Sequence, residues 1–421
     1  MTRPAAVRLD DLAEPVFSPH VLDIRRAMAG MAAEASLDAD ALLVAARQAT
    51  GLEDLGDLRF VERLRLLVHA LATEGRLSPV GRVMAHAQLL QILQNRLKVE
   101  ALFARHPEIA DVEIRAPIVI VGLPRTGTTH LHNLLAADRA LRSLPYWEGL
   151  EPVLLDEELP RGGAPDPRRA RCDQAIWFVN ESMPHFVRMH EMTTDHVHEE
   201  IQLLALDVST MLFETMGLLP SWRDAYRATD QTPSYRYLRR VLQAMQWQRG
   251  GSRWVLKSPQ HLEQLGPLAG VFPDAIVVLT HRDPAAVMAS WVTMAAYTAR
   301  MLQEPPIDLH AVARYWRTRV ADLFDACVRD RHLVPAARSL DVRFADFMRD
   351  DLAIVRRIYA LAAQPVTPVA EHGWREFTAA HPRGVHGTVV YDLAAFGLDA
   401  EEIRRGCRSY AERFDVAPEP L

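Results

Sequence analysis

The segment from Pro117 to Leu135, PIVIVGLPRTGTTHLHNLL, has the residue types of a loop that could hold a phosphate group. Its four-residue run of apolar β-branched side chains predicts a strand buried on both faces of a parallel sheet. Gly122 and Gly127 bracket a tight turn, and leucines spaced i, i+3 and i+4 after the turn predict a helix. The free N–H groups and positive dipole end of that helix would point into the loop, an arrangement that binds anions.

The cation of this loop differs from that of the loops that bind ATP or GTP. Those loops read GxxxxGK[ST], and their lysine contacts the outer phosphates. Here Thr128 occupies the lysine position, Thr129 follows it, and the cation is Arg125 inside the loop. The pattern therefore favours a single phosphate that carries another anionic group over a triphosphate.

The motif G-x-P-R-[ST]-G-[ST]-[ST] after a strand resembles the 5′-phosphosulfate loop of sulfotransferases that use 3′-phosphoadenosine 5′-phosphosulfate (PAPS). The resemblance covers roughly residues 117 to 392. It implies PAPS as the donor, adenosine 3′,5′-bisphosphate as the product, and no metal. One departure is His130, where the cytosolic branch has a tryptophan. The donor-binding residues that the resemblance implies in this loop are Arg125, Thr126, Gly127, Thr128, Thr129 and His130.

A second anion site, for the 3′-phosphate of the donor, follows another predicted strand, Ala275 to Thr280. Asp283 and Pro284 suit the N-cap and the first position of a helix. Arg282 and Ser290, eight residues apart, match the arginine and serine pair of the family. The resemblance also assigns Phe344 to the adenine, with a plain core phenylalanine as the alternative. It further assigns a glycine-containing basic segment with Arg383, Gly384 and His386 to the 3′-phosphate, with a solvated loop as the alternative.

Sulfuryl transfer needs a cation where charge develops on the leaving oxygen. Lys257 follows the apolar run from Trp254 to Leu256, so we expect it at the carboxyl end of a strand, the edge where open α/β sheets bind ligands. Arg125 would share this role from the loop.

A general base must accept the acceptor's proton, and three residues are candidates. Glu148 lies twenty-one residues after Gly127, where several sulfotransferase branches place a catalytic glutamate, and an ordinary exposed glutamate is the alternative. His261 is near the position of the histidine of cytosolic members but displaced from it. His198, with Glu199 and Glu200, is the third candidate, although such a run more often forms a solvated first turn.

No metal site is predicted. His196 and His198 are too close in sequence to share one helix face, and no third ligand or second cluster accompanies them in the sequence.

The order of elements predicts an α/β protein with a three-layer P-loop-type core around a central parallel sheet. Residues 1 to 110 show helical periodicity and form a predicted N-terminal region that packs on the core, covers the acceptor or forms a dimer surface. Residues 111 to 421 form the predicted P-loop domain, with a helical insertion at about 165–248. The insertion is rich in methionine and aromatic residues that either line an apolar pocket or fill the core: Trp177, Phe178, Met183, Phe186, Met189, Met211, Phe213, Met216 and Trp222.

Composition limits the classes of partner and the cellular compartment that we expect for this protein. The 421 residues carry a net charge of −6, which does not favour nucleic-acid binding, and three scattered cysteines fit a reducing cytoplasm. No apolar run is long enough to span a membrane, so no integral membrane contact is expected. We therefore expect a cytoplasmic sulfotransferase, either a monomer or a homodimer, that acts on a small apolar hydroxyl acceptor such as a lipid, steroid or phenol. A P-loop nucleotide kinase and a catalytically silent nucleotide-binding scaffold are the alternatives.

Overall fold

The computed structural model describes residues 4–382 and 384–421. Its sheet has four parallel strands in the order β2-β1-β3-β4. The strands are β1 Ile118–Val121, β2 Val255–Ser258, β3 Ile276–His281 and β4 Ser339–Arg343. Neighbouring strands that are distant in sequence require crossover connections, which helices supply here. The α/β architecture predicted from the sequence is confirmed.

Alternate residues of the central strands pack into two different cores, because successive side chains of a strand point to opposite faces. On one face, Ile118 and Ile120 join leucines of the helix that follows the phosphate loop. On the other face, Val119 and Val121 join a larger core. Helices therefore cover both faces of the sheet and give the three predicted layers.

The larger core extends into the N-terminal helices, where Leu64 and Leu67 are fully buried in the same cluster as Val119. Ser18, Asp38 and Ser78 cap three of these helices by accepting backbone N–H bonds. The division of the chain at residue 110 stays a prediction. The helices are α1 Pro19–Gly30, α2 Ala39–Thr50, α3 Phe60–Thr73 and α4 Pro79–Arg105.

The connection from β1 to β2 consists of six helices and the loops between them, and the bounds of the predicted insertion stay a prediction. Its helices are α5 Thr128–Ala136, α6 Tyr146–Leu150, α7 Pro167–Ser182, α8 Ile201–Leu204, α9 Pro220–Ala228 and α10 Thr232–Arg249. Short 3₁₀ turns join several of them.

The remaining helices complete the layers and form the C-terminal segment. They are α11 Leu265–Val271, α12 Pro284–Ala299, α13 Leu309–Asp330, α14 Phe344–Arg349, α15 Asp351–Leu361, α16 Pro368–Ala380, α17 Ala400–Gly406 and α18 Arg408–Phe414. Within residues 4–382 and 384–421, no helix combines the length and the apolar character needed to cross a bilayer.

Candidate active site

The phosphate loop connects β1 to α5 with a backbone that only certain residues can adopt. Arg125 and Gly127 have φ values of +76° and +89°. A Cβ atom at Gly122 would lie 2.0 Å from Oγ1 of Thr280 on the neighbouring strand, so glycine is required there. The Thr280 hydroxyl also lies 2.6 Å from the Thr126 hydroxyl. The loop is therefore held directly against β3.

Polar groups of the loop remain available to a ligand. Nη1 of Arg125 donates to the Met189 carbonyl at 2.9 Å, whereas its buried Nε has no hydrogen-bond partner in the part of the chain that the structure describes. Thr129 is exposed in the first turn of α5. His130 instead lies 2.8 Å from the Asp351 carboxylate.

The predicted 3′-phosphate residues lie beside this loop. Nη1 of Arg282 donates to the Arg125 carbonyl at 2.6 Å, and the Arg282 guanidinium lies 3.9 Å from the centre of the Phe344 ring. Asp283 caps α12 by accepting from the Ala285 N–H. Ser290, 2% exposed on α12, has a buried hydroxyl without a hydrogen-bond partner among the described residues. This hydroxyl is available to a ligand, whereas the Arg282 guanidinium pairs with Glu419.

A cavity of about 340 Å³ opens next to the phosphate loop. Its polar lining residues include Arg125, Thr129, Lys257 and Glu199. Most of the remaining wall is apolar and rich in sulfur and aromatic rings, which form adaptable ligand surfaces. These wall residues include Phe186, Met189, Met192, Ile201, Met211, Leu212, Leu218, Trp291, Met294, Met301, Leu302 and Trp316.

Lys257 lies in β2 near its carboxyl end and forms an ion pair with Glu199. Its backbone N–H donates to the Glu200 carboxylate at 2.7 Å. The other Glu200 oxygen lies 2.6 Å from Nε2 of His261, whose Nδ1 lies 2.6 Å from the Tyr235 hydroxyl. This buried network fixes the backbone that carries Lys257.

Comparison with known proteins places this geometry in a family. A family model described as the sulfotransferase family matches residues 117–368. The chain belongs to the sulfotransferase family. The match spans the phosphate loop, Lys257, Arg282, Ser290 and Phe344, so the resemblance inferred from these motifs is confirmed.

Individual sulfotransferases are similar to this family member at moderate identity. The omega-hydroxy-beta-dihydromenaquinone-9 sulfotransferase Stf3 of Mycobacterium bovis and that of Mycobacterium tuberculosis are each 28% identical over 257 residues. Each match covers 58% of this chain and 61% of the relative's length.

Solved sulfotransferase structures match over more of the chain. Sulfotransferase STF9 from Mycobacterium avium superposes with a TM-score of 0.81 at 27% identity, covering 92% of this chain and 99% of that structure. Sulfotransferase STF1 from Mycobacterium tuberculosis gives 0.76 at 28% identity, with coverages of 87% and 97%. The similarity therefore includes the N-terminal helices as well as the sheet.

Within this sulfotransferase family member, Glu148 does not lie at the cavity. Its fully buried carboxylate pairs with Arg142 at 2.8 Å and with Arg249 at 2.7 Å. The exposed glutamate that served as the alternative is not observed either. Glu148 instead joins α6 to α10 through a buried ion pair.

His261 is likewise away from the cavity, because its ring is fully buried between Glu200 and Tyr235. Both of its nitrogens already have partners. Its position therefore suits a role in holding Glu200.

The third candidate, His198, does line the cavity and belongs to a histidine cluster that the sequence analysis missed. Nitrogen atoms of His190, His196 and His198 lie within 4.8 Å of one another. The argument from helix spacing failed because this segment is extended, with Val197 bridged to Pro145, and residues i and i+2 of an extended segment share a side. The prediction that no third ligand accompanies His196 and His198 is wrong, because His190 lies beside them in the folded chain.

The environment of the cluster keeps its imidazoles neutral. Burial, followed by the neighbouring histidine and Lys257, lowers the pKa of His190 to about 3. Burial lowers the pKa of His196 to about 4, and also lowers that of His198 well below its ordinary value.

The remaining predicted positions divide between the site and other contacts. His386 lies 3.3 Å from Glu191 on the histidine-bearing loop, and Gly384 precedes it in a turn, whereas Arg383 lies outside the described residues. In the insertion, Phe186, Met189 and Met211 line the cavity. Other members of that apolar set, namely Met183, Phe213, Met216 and Trp222, are buried core residues. Both alternatives therefore hold for different residues of the same segment.

Proposed function

We propose that this protein transfers the sulfuryl group of PAPS to a hydroxyl group of an apolar acceptor. The observation that carries the proposal is that Arg125, Lys257 and Glu199 line one cavity whose wall is mostly apolar. The cations suit the anionic donor, and the apolar wall suits the acceptor. Family membership supports the same reaction class.

The donor fits unsatisfied groups on the protein. The buried Arg125 Nε and Ser290 hydroxyl lack partners, and buried polar groups normally have them. An anionic group at each position would supply the missing hydrogen bonds. We assign the 5′-phosphosulfate to the loop around Arg125 and the 3′-phosphate to Arg282 and Ser290, with Phe344 near the base.

Lys257 supplies the positive charge for the leaving oxygen. During transfer, the acceptor oxygen forms a bond to sulfur while the bond from sulfur to the bridging oxygen breaks. Negative charge develops on that bridging oxygen, so a fixed ammonium group stabilises the transition state more than the ground state. The electron pair leaves with adenosine 3′,5′-bisphosphate.

We assign the general base to Glu199. Its carboxylate lines the cavity and pairs with Lys257. A bound donor would compete for the Lys257 ammonium group, releasing the carboxylate to accept the proton of the acceptor hydroxyl. His198, on the same wall, is the alternative base.

The acceptor class is proposed from the cavity wall and from the relatives. Methionines at five wall positions, 189, 192, 211, 294 and 301, form a flexible apolar surface. Stf3 is named for a hydroxylated menaquinone, which is a lipid. We therefore propose a lipid with a hydroxyl group as the acceptor.

The experiment is a transfer assay with PAPS and a panel of hydroxylated isoprenoid lipids, steroids and phenols, read by mass spectrometry of the sulfated products. The proposal predicts a sulfated product and an equal amount of adenosine 3′,5′-bisphosphate. Calorimetry with the bisphosphate tests the donor site separately. Absence of both product and bisphosphate binding would overturn the proposal.

A further inference from the structure

The histidine cluster has the composition of a metal centre. We propose that His190, His196 and His198 bind a divalent transition-metal ion such as Zn²⁺, with an open coordination position facing the cavity. Three imidazoles with an open fourth position are a ligand set of zinc sites, and imidazole also suits Co²⁺, Ni²⁺ and Cu²⁺. The proposal concerns metal binding and does not depend on sulfuryl transfer.

Hydrogen bonds in the loop direct the ring nitrogens. Nδ1 of His196 lies beside both the carbonyl and the N–H of Thr193, and the tautomer that carries its proton on Nδ1 leaves Nε2 with a free electron pair. Backbone carbonyls that accept from a histidine commonly orient metal ligands in this way. Nε2 of His196 lies 2.8 Å from Nδ1 of His198, so a single proton lies between two imidazoles.

A second observation also points to a ligand at this place. His198 is 8% exposed, and its buried Nε2 has no hydrogen-bond partner. One ring thus has one nitrogen directed at another histidine and the other unsatisfied. The unsatisfied Nε2 of His198 is therefore available to a ligand.

The spacing requires only small movements. Tetrahedral Zn²⁺ with bonds of about 2.0–2.1 Å needs ligand nitrogens roughly 3.3 Å apart. The present separations range from 2.8 Å for His196 and His198 to at most 4.8 Å within the cluster. Side-chain rotation of His190, which is half-buried, can shorten the longer separations.

The local charges define what else the ion would meet. Lys257 and Arg125 disfavour a cation near the cluster, while Glu199 already neutralises Lys257. Glu191 lies on the same loop and favours a positive charge at His196. Because His190 and His198 line the cavity, an oxygen of water or of an acceptor could complete the coordination there.

The test uses the full-length chain without a histidine tag, freed of metal by a chelator and titrated with Co²⁺. We expect one equivalent of Co²⁺ to give the visible absorption of a tetrahedral complex, and Zn²⁺ to displace it. His190→Ala should weaken binding by at least the roughly 10- to 100-fold that results from loss of an outer metal-site contact. His372→Ala, which removes an exposed histidine on α16, is the matched control and should bind normally.

Thermal melting of each metal-free variant verifies folding, and His190→Gln replaces the alanine variant if that variant is unfolded. A saturable spectrum that persists in folded His190 and His198→Ala variants would overturn the assignment. So would the absence of saturable binding in the wild-type chain. Since no donor or acceptor is present, these outcomes are independent of whether the transfer assay succeeds.

Discussion

The Glu419 carboxylate accepts hydrogen bonds from two nitrogens of Arg282, at 2.9 Å from Nε and 2.8 Å from Nη2. The backbone N–H of Glu419 donates to Asp283, which also accepts from Arg404. The C-terminal tail is thereby held at the start of α12. The Glu419 carboxylate thus forms an ion pair with the arginine that we assign to the 3′-phosphate.

We expect Glu419→Gln to bind adenosine 3′,5′-bisphosphate about fivefold more tightly, because a partly exposed charge pair contributes up to ~1 kcal/mol that the nucleotide would no longer have to displace. Isothermal titration calorimetry measures the effect. Glu412→Gln, at an exposed position of α18, controls for the change in net charge. Weaker binding in the Glu419 variant would show that the tail assists the nucleotide instead of competing with it.

Lys257→Ala should lower the single-turnover rate of sulfuryl transfer at least ~100-fold, the order of effect seen when a group that stabilises transition-state charge is removed. Its backbone contact with Glu200 is unaffected, so the variant should fold. Lys98, the other lysine of the sequence, lies in α4 and pairs with Glu158, and Lys98→Ala is the control. Wild-type turnover in Lys257→Ala would remove the lysine from the mechanism.

Glu199→Gln should lower turnover by roughly 10²-fold, because the amide cannot accept the acceptor's proton. Rates at saturating donor and acceptor measure this effect. Donor affinity should rise or stay at the wild-type value, because the donor no longer competes with a carboxylate for Lys257. Turnover at the wild-type rate would contradict this assignment and favour His198 as the base.

Glu148→Gln is the contrasting variant for the same chemistry. Removal of one partner from a buried ion pair costs about 3–5 kcal/mol, since Arg142 and Arg249 lose their countercharge. We expect a lower free energy of unfolding in urea, with turnover per folded molecule nearly unchanged. A large loss of turnover in a stable Glu148 variant would restore this glutamate as a catalytic candidate.

Ser290→Ala should affect binding and stability in opposite directions. Loss of a buried hydroxyl without a partner raises the free energy of unfolding by up to about 1 kcal/mol, whereas nucleotide binding should weaken several-fold. Ser182→Ala removes another buried, unpartnered hydroxyl, at the end of α7, and should leave the nucleotide affinity unchanged. Equal affinities in the two variants would exclude Ser290 from the anion site.

Local patterns were sufficient to predict the backbone of the phosphate loop. The strand, turn and helix around Gly122 and Gly127 depend on neighbouring residues, and the parallel sheet then brings Arg282 beside Arg125. Helix caps such as Asp283 follow the same local rules. These features need little information from distant parts of the chain.

The surroundings of Glu148 and of the histidine cluster depend on tertiary contacts that no local pattern contains. The sequence around Glu148 does not show that this carboxylate forms an ion pair with Arg249, which lies at the end of α10. His190 joins the other histidines only because the loop between α7 and α8 folds back. The acidic pair after His198 could have prompted a search for a cationic partner, and Glu199 indeed contacts Lys257.

Because Leu64 and Leu67 of α3 lie in one continuous core with Val119 and Val121, the sheet depends on the first hundred residues for shelter from water. A shortened protein that begins just before β1 would expose a large apolar surface and would be prone to aggregate. Biochemical dissection of this molecule is therefore better pursued with point substitutions than with excised fragments.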